Sequence, residues 1–151
     1  MRPQKRVLLS INEPTFTKGV TLLLEDEFAQ KYDLSITDTS YAGKLLALAQ
    51  TEKADLFILL LNNMLCSDIP HFLEKNRVEF TLAVITHLRQ TYHKPVIAMT
   101  GRPPADDTWT EENTNRAGAS FLFFLPFEWS QLMNAVKQCW GEAELALVPN
   151  P

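Results

Sequence analysis

The sequence predicts an α/β fold, a doubly wound five-stranded parallel sheet with helices on both faces. Three observations carry that expectation. Leu56 to Leu61 is an unbroken apolar run between the charged Asp55 and the polar Asn62-Asn63, the pattern of a strand covered on both faces. Five strand-like segments alternate with five helix-like ones, the order of a parallel sheet joined by crossover helices. The 151 residues, 46% hydrophobic and 21% charged, make a one-domain chain with enough apolar side chains for a full core. In open sheets of this kind the working site lies just beyond the carboxyl ends of the strands, so Leu60 to Met64 mark where chemistry is expected.

Taken in order, Arg6 to Ile11 reads as the first strand and Asn12-Glu13-Pro14-Thr15 as the turn leaving it, with Thr15 as helix cap. Phe16, Val20, Leu23, Leu24 and Phe28 recur at three- and four-residue steps, one face of a helix running to about Gln30 and slightly weakened by Gly19. Tyr32, Leu34 and Ile36 alternate with Asp33, Ser35 and Thr37, a half-buried strand nearer the sheet edge. Ser40 offers the next cap, and Leu45, Leu46, Leu48 and Ala49 line a helix ending near Lys53. After the central strand comes Cys66 to Lys94, where Asp68 and Pro70 signal a helix start. Phe72, Phe80, Val84, Ile85 and Leu88 form its apolar face, interrupted at Glu74-Lys75-Asn76-Arg77.

Pro95 to Thr100 is the fourth strand and Gly101-Arg102-Pro103-Pro104 a loop. Thr108-Trp109-Thr110-Glu111 has capping-box spacing, and Gly118 closes the short helix it opens. Thr110, Asn113, Thr114 and Asn115 give that helix low intrinsic propensity, so it is expected to be mobile. Phe121 to Phe124 is the fifth strand, stopped by Pro126, and Trp129 to Trp140 the last helix. Residues 1–142 are expected to form the domain and 143–151 a tail.

Charge narrows the function classes. Fourteen Lys plus Arg against eighteen Asp plus Glu leave a net charge of −4, which disfavours nonspecific binding to nucleic acid or an anionic membrane and points to a protein partner. The apolar run after the basic start is only Val7-Leu8-Leu9, too short for a signal-peptide core, and no segment has the length to span a bilayer. Cys66 and Cys139 are expected to be reduced thiols of a cytoplasmic protein.

Val7-Leu8-Leu9 with the Ile11-Asn12-Glu13-Pro14 turn, Pro95 to Gly101, and Arg116-Ala117-Gly118-Ala119 through Leu125-Pro126-Phe127 together resemble the receiver domains of bacterial two-component response regulators. The resemblance covers roughly residues 5 to 141. It implies a site in which a third-strand aspartate takes a phosphoryl group beside Mg²⁺, which an acidic pair after the first strand helps to hold. A fifth-strand lysine and a fourth-strand Thr or Ser contact the phosphoryl oxygens. Carried onto this chain, the acidic pair falls on Ile11 and Asn12, with Glu13 the nearby carboxylate; the acceptor falls on Leu60, the lysine on Leu125 and the hydroxyl on Thr100. The aromatic that switches rotamer in the family falls on Leu122. Leucine is neither nucleophile nor oxygen ligand, so the resemblance implies a degenerate, phosphorylation-independent pseudo-receiver that is not an enzyme.

The same residues admit plainer readings. Asn12 and Glu13 also suit a polar turn capping the first helix, Asn62 and Asn63 a strand end, and Thr100 a β-branched strand residue. Leu125-Pro126 is a candidate cis peptide on the family's pattern. Cys66, Asp68 and His71 have ligand chemistry, but a closed zinc site needs a fourth donor that no second cluster supplies, so no metal is expected. Cys139 with His87 or His93 has no catalytic motif behind it. No glycine-rich loop follows the first strand, which argues against a nucleotide or flavin, and no cofactor is expected.

Two function classes follow. One is a stand-alone receiver-like signalling module acting through protein contacts, its partner a histidine kinase or another signalling protein. Aromatic density from Trp109 to Trp140 marks the fourth helix, fifth strand and fifth helix as the expected contact face, with Trp109, Leu122 and Phe124 on it and a homodimer as the association seen in the family. The other class is a small-ligand-binding or enzymatic flavodoxin-like domain, with Asn12, Glu13, Asn62 and Thr100 as polar contacts in the strand-end crevice.

Overall fold

The computed structural model describes residues 2–101 and 109–141. Strands β1 (Gln4–Ser10), β2 (Asp33–Asp38), β3 (Leu56–Leu60), β4 (Val96–Gly101) and β5 (Phe121–Leu125) alternate with helices α1 (Pro14–Phe28), α2 (Ala42–Thr51), α3 (Arg77–Tyr92), α4 (Glu111–Ala117) and α5 (Trp129–Cys139). All strand pairs are parallel in the order β2-β1-β3-β4-β5, so the expected doubly wound sheet forms, with its topological switch between β1 and β3. The expected tail, 143–151, and Arg102, Pro103, Pro104 and Thr108 lie outside the described residues. No helix among the described residues is long and apolar enough to cross a membrane.

Strand β3 is buried at all five positions. Its side chains alternate: Phe57 and Leu59 join the layer under α2, α3 and α4, while Leu56, Ile58 and Leu60 join the layer under α1 and α5. The helices supply the periodic faces expected of them, Val20, Leu24 and Phe28 from α1 and Val84, Ile85 and Leu88 from α3.

Helix starts differ from the sequence reading, each for a local reason. Thr15 does not cap α1. The cap is Glu13, whose carboxylate accepts from the backbone N–H of Thr15 at 3.3 Å and of Phe16 at 2.5 Å, with Pro14 beginning the helix. Ser40 does not cap α2 either. Asp68, from the loop after β3, accepts from the N–H groups of Gly43 at 2.8 Å and Lys44 at 2.9 Å. A Cβ on Gly43 would sit 2.7 Å from that carboxylate, so glycine is what lets the loop approach.

With its carboxylate committed to α2, Asp68 starts no helix of its own. A single 3₁₀ turn at Glu74–Asn76 precedes α3, which begins where the sequence pattern was interrupted. Arg77 fixes this start: Nη1 donates to the Met64 carbonyl at 2.6 Å, Nε donates to Glu74 at 2.6 Å, and the hydrogen bond holds the Glu74 carboxyl below its ordinary range. Phe72 therefore lies ahead of the helix and meets Phe80 edge-on, ring centroids 5.1 Å apart. For α4 the cap is Thr110 with Asn113 rather than Thr108 with Glu111, and Gly118 closes it at φ 118° as expected.

Asp68→Ala should lower unfolding free energy by about 1 kcal/mol, the worth of a helix N-cap. Urea denaturation checks this. An unchanged midpoint would mean that α2 does not depend on the borrowed cap.

Candidate functional site

The carboxyl ends of β1 and β3 flank the switch point with that of β4 beside them, and their outgoing turns are tied by amide side chains. Asn12 takes the left-handed conformation, φ 52°, which the short polar asparagine tolerates. Its Nδ2 donates to the Asn63 carbonyl at 2.9 Å. Asn62 Nδ2 donates to Asn63 Oδ1 at 3.3 Å, and Asn62 Oδ1 accepts from the Gly101 N–H at 3.0 Å. The three turns are thus clasped by neutral hydrogen bonds.

Beneath the clasp the site is apolar. Leu60 ends β3 at 2% exposure and shares its core layer with Ile11, Met99 and the half-buried Leu125. Thr100 is buried at the end of β4, in register with Phe124 on β5. The Glu13 carboxylate is engaged in capping α1. The Leu125-Pro126 peptide is cis.

The other candidate clusters do not assemble. Among the described residues no group of three His, Cys, Asp or Glu side chains could hold a metal ion. Cys66 is buried, with its thiol pushed up in pKa by that burial; Asp68 caps α2, and His71 is exposed. Burial also pushes Cys139 up to about 11, and its charged neighbour is Arg89 rather than a histidine. Both cysteines are free thiols.

An open cavity of about 290 Å³ lies between the ends of β1 and β2, lined by Asn12, Glu13, Lys18, Asp38 and Ser40 among others. Of the four polar contacts expected for a ligand crevice, Asn12 and Glu13 line this cavity. Asn62 and Thr100 do not: one is turned to Gly101 and the other is buried. Asn63 and Asp38 were missed as site residues, and the Asn62-Asn63 pair just past the apolar run was the available signal.

On the expected contact face Trp109 must be withdrawn. Its ring is only 8% exposed, and Nε1 donates to Thr81 Oγ1 at 2.6 Å in the interior, because an indole buries well once its N–H finds an acceptor. Leu122 is half-buried against the α2–α3–α4 layer. Phe124, also half-buried, belongs to neither core layer. On the opposite side Phe121, Phe123, Phe127 and Trp129 form a continuous aromatic string, ending in a tryptophan that is 42% exposed.

Solved structures share the fold. The chain matches the signal receiver domain of a DNA-binding response regulator (merR) from Colwellia psychrerythraea 34H with a TM-score of 0.66, over 89% of this chain and 97% of that one, at 20% identity. A two-component response regulator from Clostridium difficile matches with a TM-score of 0.66 over 91% and 96% at 16% identity. The chemotaxis response regulator CheY4 of Vibrio cholerae matches with a TM-score of 0.62 over 90% and 98% at 15% identity. At such identities the likeness establishes the fold, the flavodoxin-like sheet of receiver domains. No protein-family model and no curated protein sequence matches the chain.

Leu60→Asp should destabilise the protein in a pH-dependent way. Its apolar surroundings raise the folded carboxyl pKa above about 3.9, the unfolded reference. Below that reference the carboxyl is neutral in both states and the charge penalty is absent. As pH rises through the unfolded and then the folded pKa the penalty grows, reaching about 1.4 kcal/mol per unit of difference. Lost leucine packing adds a pH-independent cost of roughly 2–5 kcal/mol. Urea unfolding of both proteins at about pH 4 and about pH 7.5 measures the two parts. A gap equal at both pH values would place position 60 in solvent.

Proposed function

We propose that this chain is a receiver-like signalling module that works in or beside a two-component phosphorelay through protein contacts, without itself carrying a phosphoryl group. The observation that supports this most is Leu60 at the end of β3, 2% exposed within an apolar layer. Phosphoryl transfer to a protein needs a nucleophile and a cation to offset the developing charge. A leucine side chain has no lone pair to attack with, and Ile11 and Leu125 add none. Glu13 is occupied at the start of α1, and the asparagine clasp joins the turns with no net charge.

Signalling then rests on surfaces. The chain works in the cytoplasm, its partner is a histidine kinase or another signalling protein, and the contact face is α4, β5 and α5 with Leu122 and Phe124. β5 closes one end of the sheet with five apolar residues and no charge, whereas β2 at the other end carries Asp33 and Asp38. An apolar edge strand without charged residues is open to pairing. A second copy of the chain fits there. Exposed Glu112 and Arg116 pair with each other at 2.6 Å across one helical turn, and two α4 helices placed antiparallel would match these charges between copies.

Incubation with a small acyl-phosphate donor and Mg²⁺ should leave the intact mass unchanged; a stoichiometric, base-labile phosphoryl adduct would end the phosphorylation-independent reading. Light scattering at high protein concentration should give a dimer, and Phe124→Lys a monomer with unchanged circular dichroism. A wild-type monomer, or a dimer indifferent to Phe124→Lys, would remove the homodimer from the proposal.

A further inference from the structure

Helix α4 is the element that the sequence supports least. Its seven residues, Glu111–Ala117, include two asparagines and a threonine, and a helix this short is marginal in water even with good formers. Yet every part of it is tied down. The Thr110 N–H donates to Asn113 Oδ1 at 2.8 Å, and the Asn113 N–H donates to Thr110 Oγ1 at 3.0 Å. Thr114, fully buried, donates its hydroxyl to the Thr110 carbonyl at 2.6 Å.

The ties that place the helix in the fold come from α3, one at each end. Ahead of α4, the Trp109 indole enters the core and Nε1 donates to Thr81 Oγ1. Thr81 has no exposed surface, and its hydroxyl donates back to the α3 carbonyl of Arg77 or Val78, both 3.0 Å away. Such back-bonding leaves a lone pair to accept from the indole, so both polar groups are satisfied in the interior. At the far end, Thr86 Oγ1 lies 2.9 Å from the Ala117 carbonyl, one of the last carbonyls of α4 that has no partner within its own helix, and 3.1 Å from the Leu82 carbonyl of α3; its single proton serves one of the two, and Ala117 is the nearer. Beyond it, a Cβ on Gly118 would lie 2.9 Å from Arg89 Cγ, so the α4 terminus also sits against the stem of a third α3 side chain.

We infer that α3 locks α4 in one docked position through the Trp109–Thr81 and Thr86–Ala117 hydrogen bonds, a conformational device that keeps the outer face of α4 permanently presented. That face carries Glu111, Glu112, Asn115 and Arg116, all exposed. Neither tie involves a residue of the strand-end crevice. This deepens the proposed function, on which its signalling meaning rests: a module without a phosphoryl switch needs its contact surface already formed.

Hydrogen–deuterium exchange on the whole chain tests the lock. The amides of Thr114 to Gly118 should exchange as slowly as those of α3, opening only with the larger cooperative unit. Trp109→Phe keeps an aromatic ring in the core and leaves Thr81 satisfied by its own helix, but deletes the donor; it should speed exchange in α4 by roughly ten- to hundredfold while leaving α1 unchanged. Thr86→Val should do the same to a smaller degree at the C-terminal end of α4. Exchange in wild-type α4 at the rate of an unstructured peptide overturns the lock, as does Trp109→Phe with α4 protection intact. A phosphorylated protein with slow α4 exchange would instead remove the functional reading and leave the lock standing.

Discussion

Strand β3 sends Phe57 and Leu59 into one core layer and Leu56, Ile58 and Leu60 into the other, so every residue of the central strand is desolvated and both halves of the molecule pack against it. The strand-end site inherits that constraint. A carboxylate at Leu60 would be a charge at the end of an apolar column, costly unless a cation and hydrogen-bond donors surround it. None of Ile11, Leu125 or Thr100 brings a charge to that place. Leucine there is consistent with the whole layer, and the layer is consistent with leucine.

Above the column, three turns still have to be held together around the sheet's switch point, where their backbone groups would otherwise face solvent. Amide side chains do this well. Each offers both a donor and an acceptor without a charge to desolvate, so Asn12, Asn62 and Asn63 join the exits of β1, β3 and β4 at little electrostatic cost. The long connection after β3 is held by charged side chains instead. There Asp68 caps a helix it does not belong to, and Arg77 joins the Met64 carbonyl to Glu74, so a connection with only one 3₁₀ turn is anchored at two points.

The two ends of the sheet are unlike. β2 alternates polar and apolar residues and has charged ends, which makes it a poor template for another strand. β5 is apolar throughout and only half-covered by its flanking helices. Side chains also tie elements on this side: α4 to α3 through two threonines, and α1 to the start of α5 through the edge-on contact of Phe16 with Trp129, centroids 5.3 Å apart. Side-chain ties and apolar exposure coincide on this side of the molecule, a combination suited to presenting a surface.

The sheet, the order of its elements and the leucine that ends the third strand were legible in the chain alone, because hydrophobic period and residue type are local properties that survive without coordinates. The sequence also named Glu13, Asn62 and Trp109 as candidate site or contact residues, but not what each one touches. Packing in three dimensions made Glu13 rather than Thr15 the cap of α1, brought Asp68 to cap α2 from 25 residues away, and put Trp109 inside the core rather than on a contact face. These are choices among polar partners of similar strength. A carboxylate can satisfy whichever backbone N–H groups the fold brings near it, and an indole can be buried wherever a hydroxyl waits. Which one is near is set by how helices pack on the sheet, a long-range outcome that no window of sequence contains.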